Sequence, residues 1–210
     1  MVEMSMNKAI HGAFRRDLTR FITALSSFPP GDVRRGKQLA TAWSNSDDQL
    51  TRHHTGEHEI AWPALTAVGT SPALLASLDA EHDSMAVAIA DVRAAMPALE
   101  RTAGVEEVAT ARAAFERLQA VTVAHLEHEE AELEPIYCAK KDTPEIKAMG
   151  RAFGKVSPAQ GGRFFAWVAD GASDEEVAAI TRDVPGPVFT IIGGVFGRGY
   201  RTNIAPVWSS

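Results

Sequence analysis

The chain lacks several features that would have fixed its class at once. Cysteine is nearly absent. Cys138 is the only one in 210 residues, so no intramolecular disulfide can form and thiolate metal sites are excluded. A basic surface is lacking too. The formal net charge is −6, which argues against a nucleic-acid footprint. The acidic excess sits in residues 1–139, with 12 Lys/Arg against 20 Asp/Glu, whereas residues 140–210 carry 9 against 7. Neither part holds a dense basic run. The most apolar late stretch, Val188 to Phe196, is far too short to span a bilayer. No basic segment followed by an apolar run opens the sequence, so no secretory signal is expected. These absences predict a cytoplasmic protein that binds neither nucleic acid nor membrane.

What is present is helical. Hydrophobic residues make up 45% and charged residues 23%, ordinary values for a globular chain of this length. Four long stripes recur at spacings of three and four. The first is His11, Phe14, Leu18, Phe21 and Leu25, and it ends at Pro29-Pro30-Gly31. The second starts near Asp32, a capping residue, and runs through Leu39, Trp43, Ser46, Leu50, His53, Glu57 and Ile60. The third follows Ser71-Pro72 with Leu75, Leu78, His82, Met85, Ile89, Val92 and Met96. The fourth follows Gly104 with Phe115, Leu118, Thr122, His125, Glu129 and Ile136. Such stripes are the core-facing seams of an all-α, antiparallel four-helix bundle, expected over residues 1–140. Residues 141–210 are cut by glycine and proline into short helices near 144–153, 160–169 and 173–183 and an apolar piece at 187–196. Ser173 with Glu176 three positions on predicts a capped helix start. This C-terminal extension is expected to cover the bundle, and Phe189–Phe196 is a candidate homodimer surface.

The chemistry lies in a repeat. His53, Glu57 and Pro63 read His-x3-Glu-x5-Pro, and His125, Glu129 and Pro135 read the same, 72 positions later. A single histidine precedes each copy, His11 by 42 residues and His82 by 43. All six ligand-type side chains fall on apolar stripes, and residues four apart share a helix face. A buried carboxylate needs compensation, and no Lys or Arg lies near Glu57 or Glu129 on those stripes. A dication supplies it. Imidazole with carboxylate suits iron, manganese or zinc, and the pseudo-symmetry points to two ions, with carboxylates able to bridge a pair.

Some neighbours stay open. His54 is a candidate further ligand. His58 and His128 read as solvated or supporting groups, and Glu127, Glu132 and Glu134 as a solvated acidic face. Glu130 and His54 are candidates for proton handling, with no other catalytic residue in view. Cys138 reads as structural, and Tyr137 and Tyr200 have no evident role.

The strings HHTGEHEIAWPAL and HLEHEEAELEPIY, each preceded by a lone-histidine helix, resemble the second- and fourth-helix motifs of the hemerythrin-like HHE cation-binding family. The resemblance covers roughly residues 5–140. It implies a non-haem, oxo- or hydroxo-bridged pair of irons held by His11, His53, Glu57, His82, His125 and Glu129, with Glu57 and Glu129 as bridges. The sequence departs from the oxygen carriers of that family. Position 86 is Ala and position 78 is Leu, so His82 has no partner one turn away, and the acid after His125 comes at four. That shifts the implied function from oxygen storage to reaction with O2, H2O2 or NO, above all catalase-like decomposition of hydrogen peroxide. The alternative is a sensor or store without turnover. Ferritin-like Glu-x-x-His is excluded, because no Glu lies three residues before any histidine.

Overall fold

Proline, glycine and short polar side chains set the limits of the long helices. The computed structural model describes residues 4–209, so the first three residues of the expected bundle span fall outside it. Helix α1 (Met6–Ser26) starts at Ser5, whose hydroxyl accepts the Lys8 N–H. The chain then turns at Gly31, with φ +85°, a backbone that glycine adopts without a Cβ penalty. Asp32 caps α2 (Val33–Gly56) by accepting the Arg35 N–H.

The second stripe does not continue as a plain α-helix to Ile60. Residues Glu57–Ala61 form a π turn before α3 (Trp62–Ala67), and the Trp62 N–H bonds the Glu57 carbonyl, five residues back. Pro63 is the physical cause. It has no N–H, and its ring would strike the carbonyl four residues earlier, so the helix widens by one residue to pass it. Ser71 and Pro72 open α4 (Pro72–Arg101), although Ser71 makes no side-chain cap bond. Helix α5 (Val105–His128) follows Gly104. It meets Pro135 in the same way, with a π turn at Glu129–Leu133 in which the Glu134 N–H bonds the Glu129 carbonyl, then α6 (Glu134–Lys140).

The described residues are helical without strands. Helix α1 packs on α5, α5 on α4, α4 on α2 and α2 on α1, so the four long helices close a ring around one core. Phe21 stacks on Phe115 at 4.3 Å, and Trp43 meets both edge-on at 6.1 and 5.2 Å. Burying such rings stabilises by about 1.5–3 kcal/mol each. His11, His53 and His125 lie ten residues along the same helices from Phe21, Trp43 and Phe115. At 1.5 Å per residue, that places the histidine layer about 15 Å from the aromatic one.

Beyond α6 the chain forms α7 (Pro144–Phe153), α8 (Pro158–Val168), α9 (Asp174–Asp183), α10 (Gly186–Phe196), α11 (Arg198–Asn203) and a 3-10 turn at Ala205–Ser209. Helix α9 opens on the Ser173/Glu176 capping box, and α8 opens on a second box, Ser157 with Gln160. That box moves the start of α8 two residues ahead of the expected 160. Helices α8 and α9 lie on α1. The buried Asp17 carboxylate accepts the Ser46 hydroxyl at 2.5 Å and the Trp167 indole N–H at 2.9 Å, tying α1, α2 and α8 together. Burial pushes the Asp17 carboxyl above its ordinary value, although these two donors favour its charge. Arg16 pairs with Glu176 at 2.6 Å and Arg20 with Asp170 at 3.1 Å. Tyr200, without a role in the sequence reading, donates to Asp170 at 2.9 Å.

Candidate metal centre

The last turns of α2 and α5 and the two π turns carry the repeat into the core, facing His11 on α1 and His82 on α4. The side chains converge in two groups. His11, His53, Glu57 and Glu129 form one, and His54, Glu57, His82 and His125 the other; within each, one donor atom per residue lies within 4.8 Å of all the rest. Glu57 belongs to both. Its Oε1 stands 3.0 Å from His53 Nε2 and its Oε2 stands 3.2 Å from His82 Nε2, one oxygen to each group. Glu129 is different. Its Oε2 faces His11 Nε2 at 3.2 Å, but its Oε1 accepts the Asn7 amide at 3.1 Å. The resemblance implied two bridging carboxylates; only Glu57 is shared between the groups.

The inward atoms fit a cation. His11 Nε2, His53 Nε2, His54 Nε2, both oxygens of Glu57 and Glu129 Oε2 are buried without an aligned hydrogen bond. His53 and His82 Nε2 stand 3.0 and 3.2 Å from the two Glu57 oxygens, and His11 Nε2 stands 3.2 Å from Glu129 Oε2, without the alignment of a hydrogen bond. Buried polar atoms are rarely left so. The outward nitrogens are well served. His11 Nδ1–H donates to Glu130 at 2.9 Å, and Arg15 holds the same Glu130 oxygen at 2.7 Å. His125 Nδ1–H donates to Glu81 at 2.9 Å, and His128 Nδ1–H donates to the other Glu81 oxygen at 2.7 Å. A carboxylate accepts only, so these partners place the proton on Nδ1 and leave the Nε2 lone pair facing inward.

Titration repeats the pattern. Burial opposes a charge on His11, but the adjacent carboxylates of Glu129 and Glu130 win and raise its pKa to about 9. Burial likewise opposes ionisation of Glu57, but the charge of His53 and the close approach of the His53 and His82 rings hold it well below the usual carboxylate range. His82 is raised, against burial, by Glu57. His54 is pushed well below its ordinary value by burial and then by the charge of His53. Burial also lowers His125, against Glu81. Glu130 drops to about 2, against burial, under the hydrogen bonds of His11 and Arg15. The histidines therefore divide: His11 and His82 hold a proton more readily than a free imidazole, and His54 and His125 less.

All six sequence-predicted residues are brought together, and His54 joins them in the second group. Glu130, a candidate for proton handling, sits behind His11 as its ionised acceptor. His58 is exposed and reaches Asp79 at 3.4 Å. Glu127 and Glu132 are exposed, but Glu134 is buried and accepts the Cys138 thiol at 3.8 Å. Glu134 therefore does not belong to the solvated acidic face. Sequence reasoning missed Glu81, Asn7, Arg15 and Asp79. Asp79 accepts the Trp62 indole N–H at 2.8 Å, and the Trp62 ring lies parallel to His82 at 5.9 Å. Glu81 alone carried a signal, its place next to His82.

No helix among the described residues is long and apolar enough to cross a membrane. No curated protein and no solved structure matches the chain. The family model described as the Hemerythrin HHE cation binding domain matches residues 5–149. With that match over more than half its length, and with its histidines and carboxylates gathered into two cation-sized groups, the chain belongs to the hemerythrin HHE cation-binding family.

Proposed function

We propose that the protein is an antiparallel four-helix bundle that holds two iron ions and uses them on small oxygen species, foremost to convert hydrogen peroxide to water and dioxygen. The observation that carries this reading is Glu57, with its two oxygens divided between two ligand groups. Residues 1–140 are read as the metal-binding unit and 141–210 as its cover. The layers support these helix directions. Along α1 and α4 the chain leaves the histidine layer, and along α2 and α5 it approaches it, so neighbours in the ring run opposite ways.

His11, His53, Glu57 and Glu129 would hold one ion, and His54, Glu57, His82 and His125 the other. When bound, such a redox-active pair supplies the two electrons that one peroxide takes up and a second returns. The chain does the rest. Burial keeps bulk water from the site, the Glu57 charge offsets the cations, and Glu130 and Glu81 keep the rings of His11 and His125 turned inward. Each group offers one donor atom from each of four residues, and a metal held there would stay open to a small molecule.

Oxygen release from hydrogen peroxide by the iron-loaded protein tests this. Turnover is expected in the wild type and loss of it in His53→Ala. Equal rates in the two would reject the enzymatic reading. A sensor is the second reading. It is favoured by the contact of the extension with the site, where Trp167 packs on Phe14 at 4.9 Å and Phe14 on His53 at 5.2 Å. It predicts no turnover, but a change in proteolysis of residues 141–210 on metal loading.

A further inference from the structure

Hydroxyls within helices commonly fold back on the preceding turn. Those of Thr19, Thr41, Thr102, Thr181 and Thr202 each donate to the carbonyl four residues earlier. Thr122 does not. It is fully buried, at 0% exposure, and its Oγ1 has no hydrogen-bond partner in the protein. A buried hydroxyl without a partner disfavours the fold, so packing of α5 alone gives no reason for this side chain.

Its place supplies one. Thr122 lies three residues before His125 on α5, and residues so spaced are neighbours on one face, about 5–6 Å apart at Cβ. The matching position in the first copy of the repeat, 72 residues back, is Leu50, also buried, at 3% exposure. At this position the repeat therefore carries a hydroxyl in its second copy only, next to the His125 of the His54, Glu57, His82 and His125 group.

We infer that the Thr122 hydroxyl is the hydrogen-bond donor to a small ligand held beside that group, a molecule or anion of two or three oxygen or nitrogen atoms with a lone pair to offer. This rests on the metal reading above and deepens it. An uncharged donor suits such a ligand. It selects for an acceptor atom without adding charge to a site that already holds its cations, while Leu50 at the matching position offers only apolar contact.

Sodium azide is the probe. It is titrated into iron-loaded wild type, Thr122→Val and Thr122→Ser and followed by visible absorption, with iron counted in each sample. The azide dissociation constant is expected to rise about five- to tenfold in Thr122→Val, the worth of one hydrogen bond, and to stay within about twofold in Thr122→Ser, at equal iron content. The thermal midpoint of metal-free Thr122→Val is expected to match or exceed that of the wild type, because the lost hydroxyl had no partner. Unchanged azide affinity in Thr122→Val at full iron content would overturn this inference alone. A lowered metal-free midpoint would show that the fold uses the hydroxyl, and would overturn it as well. A wild type that holds no iron would overturn the metal reading, and this inference with it.

Discussion

The two copies of the His-x3-Glu-x5-Pro unit share a backbone and differ in their company. Each proline forces a π turn at the same place, and each turn delivers its glutamate to the centre. Around that common frame the neighbours diverge. Glu57 keeps both oxygens for histidines of the two groups, while Glu129 gives one oxygen to Asn7. The first copy has His54 where the second has Leu126, and Leu50 where the second has Thr122. His11 rests on a carboxylate fixed by Arg15, whereas His125 rests on one shared with His128. The repeat thus sets where the donors stand. The unrepeated residues decide which carboxylate is shared between the two groups.

The largest expected effect breaks this difference at its root. Glu57→Gln removes the charge common to both groups and is expected to abolish nearly all metal binding, whereas Glu129→Gln is expected to leave about one ion of two. Metal content by plasma emission spectroscopy decides it. A metal that binds the folded chain more tightly than the unfolded one stabilises it, so chelation of the iron-loaded wild type should lower the thermal midpoint by roughly 10 °C. Next, His54→Leu gives the first copy the residue of the second. It should empty the second group and leave one ion on His11, His53, Glu57 and Glu129. Retention of two ions would show that His54 holds neither.

A smaller effect lies away from the centre. Trp167→Phe takes one donor from the buried Asp17 carboxylate, at a cost of about 1–3 kcal/mol. The midpoint should fall by roughly 5 °C, with iron content unchanged. The smallest is a pH effect at the α9 cap. Burial opposes ionisation of Glu176, but the Ser173 N–H and Arg16 win and hold its pKa below the ordinary 4.5. A depressed folded pKa means stability that is present above 4.5 and is lost as pH falls below it through the folded value. In the partly exposed Arg16 pair this is worth below about 1 kcal/mol. Glu176→Gln should therefore flatten the acid limb of a stability–pH curve below 4.5 and leave the neutral region nearly level.

The sequence made the helix starts legible where a cap or proline marks them, as at Asp32, Pro72 and Ser173. It made the six ligand-type residues legible because periodicity alone puts them on buried stripes. The π turns were not legible as such. Pro63 and Pro135 were visible, but a proline inside a helix can kink, end or widen it, and the choice depends on what the next turn packs against. The supporting groups were hidden for another reason. Glu81 meets His125 across 44 residues, Glu130 meets His11 across 119 and Asn7 meets Glu129 across 122, and no local pattern reports such pairs. His54 stayed open because its neighbour His53 claimed the stripe. Two adjacent histidines serve two groups only when the second cation site lies beside the first.

The most direct test is an anaerobic iron(II) titration of the metal-free wild type, with bound iron counted after desalting. A centre built on one shared glutamate predicts two irons per chain, and nearly none after Glu57→Gln. A single tight iron in the wild type, or two irons retained by Glu57→Gln, would contradict it.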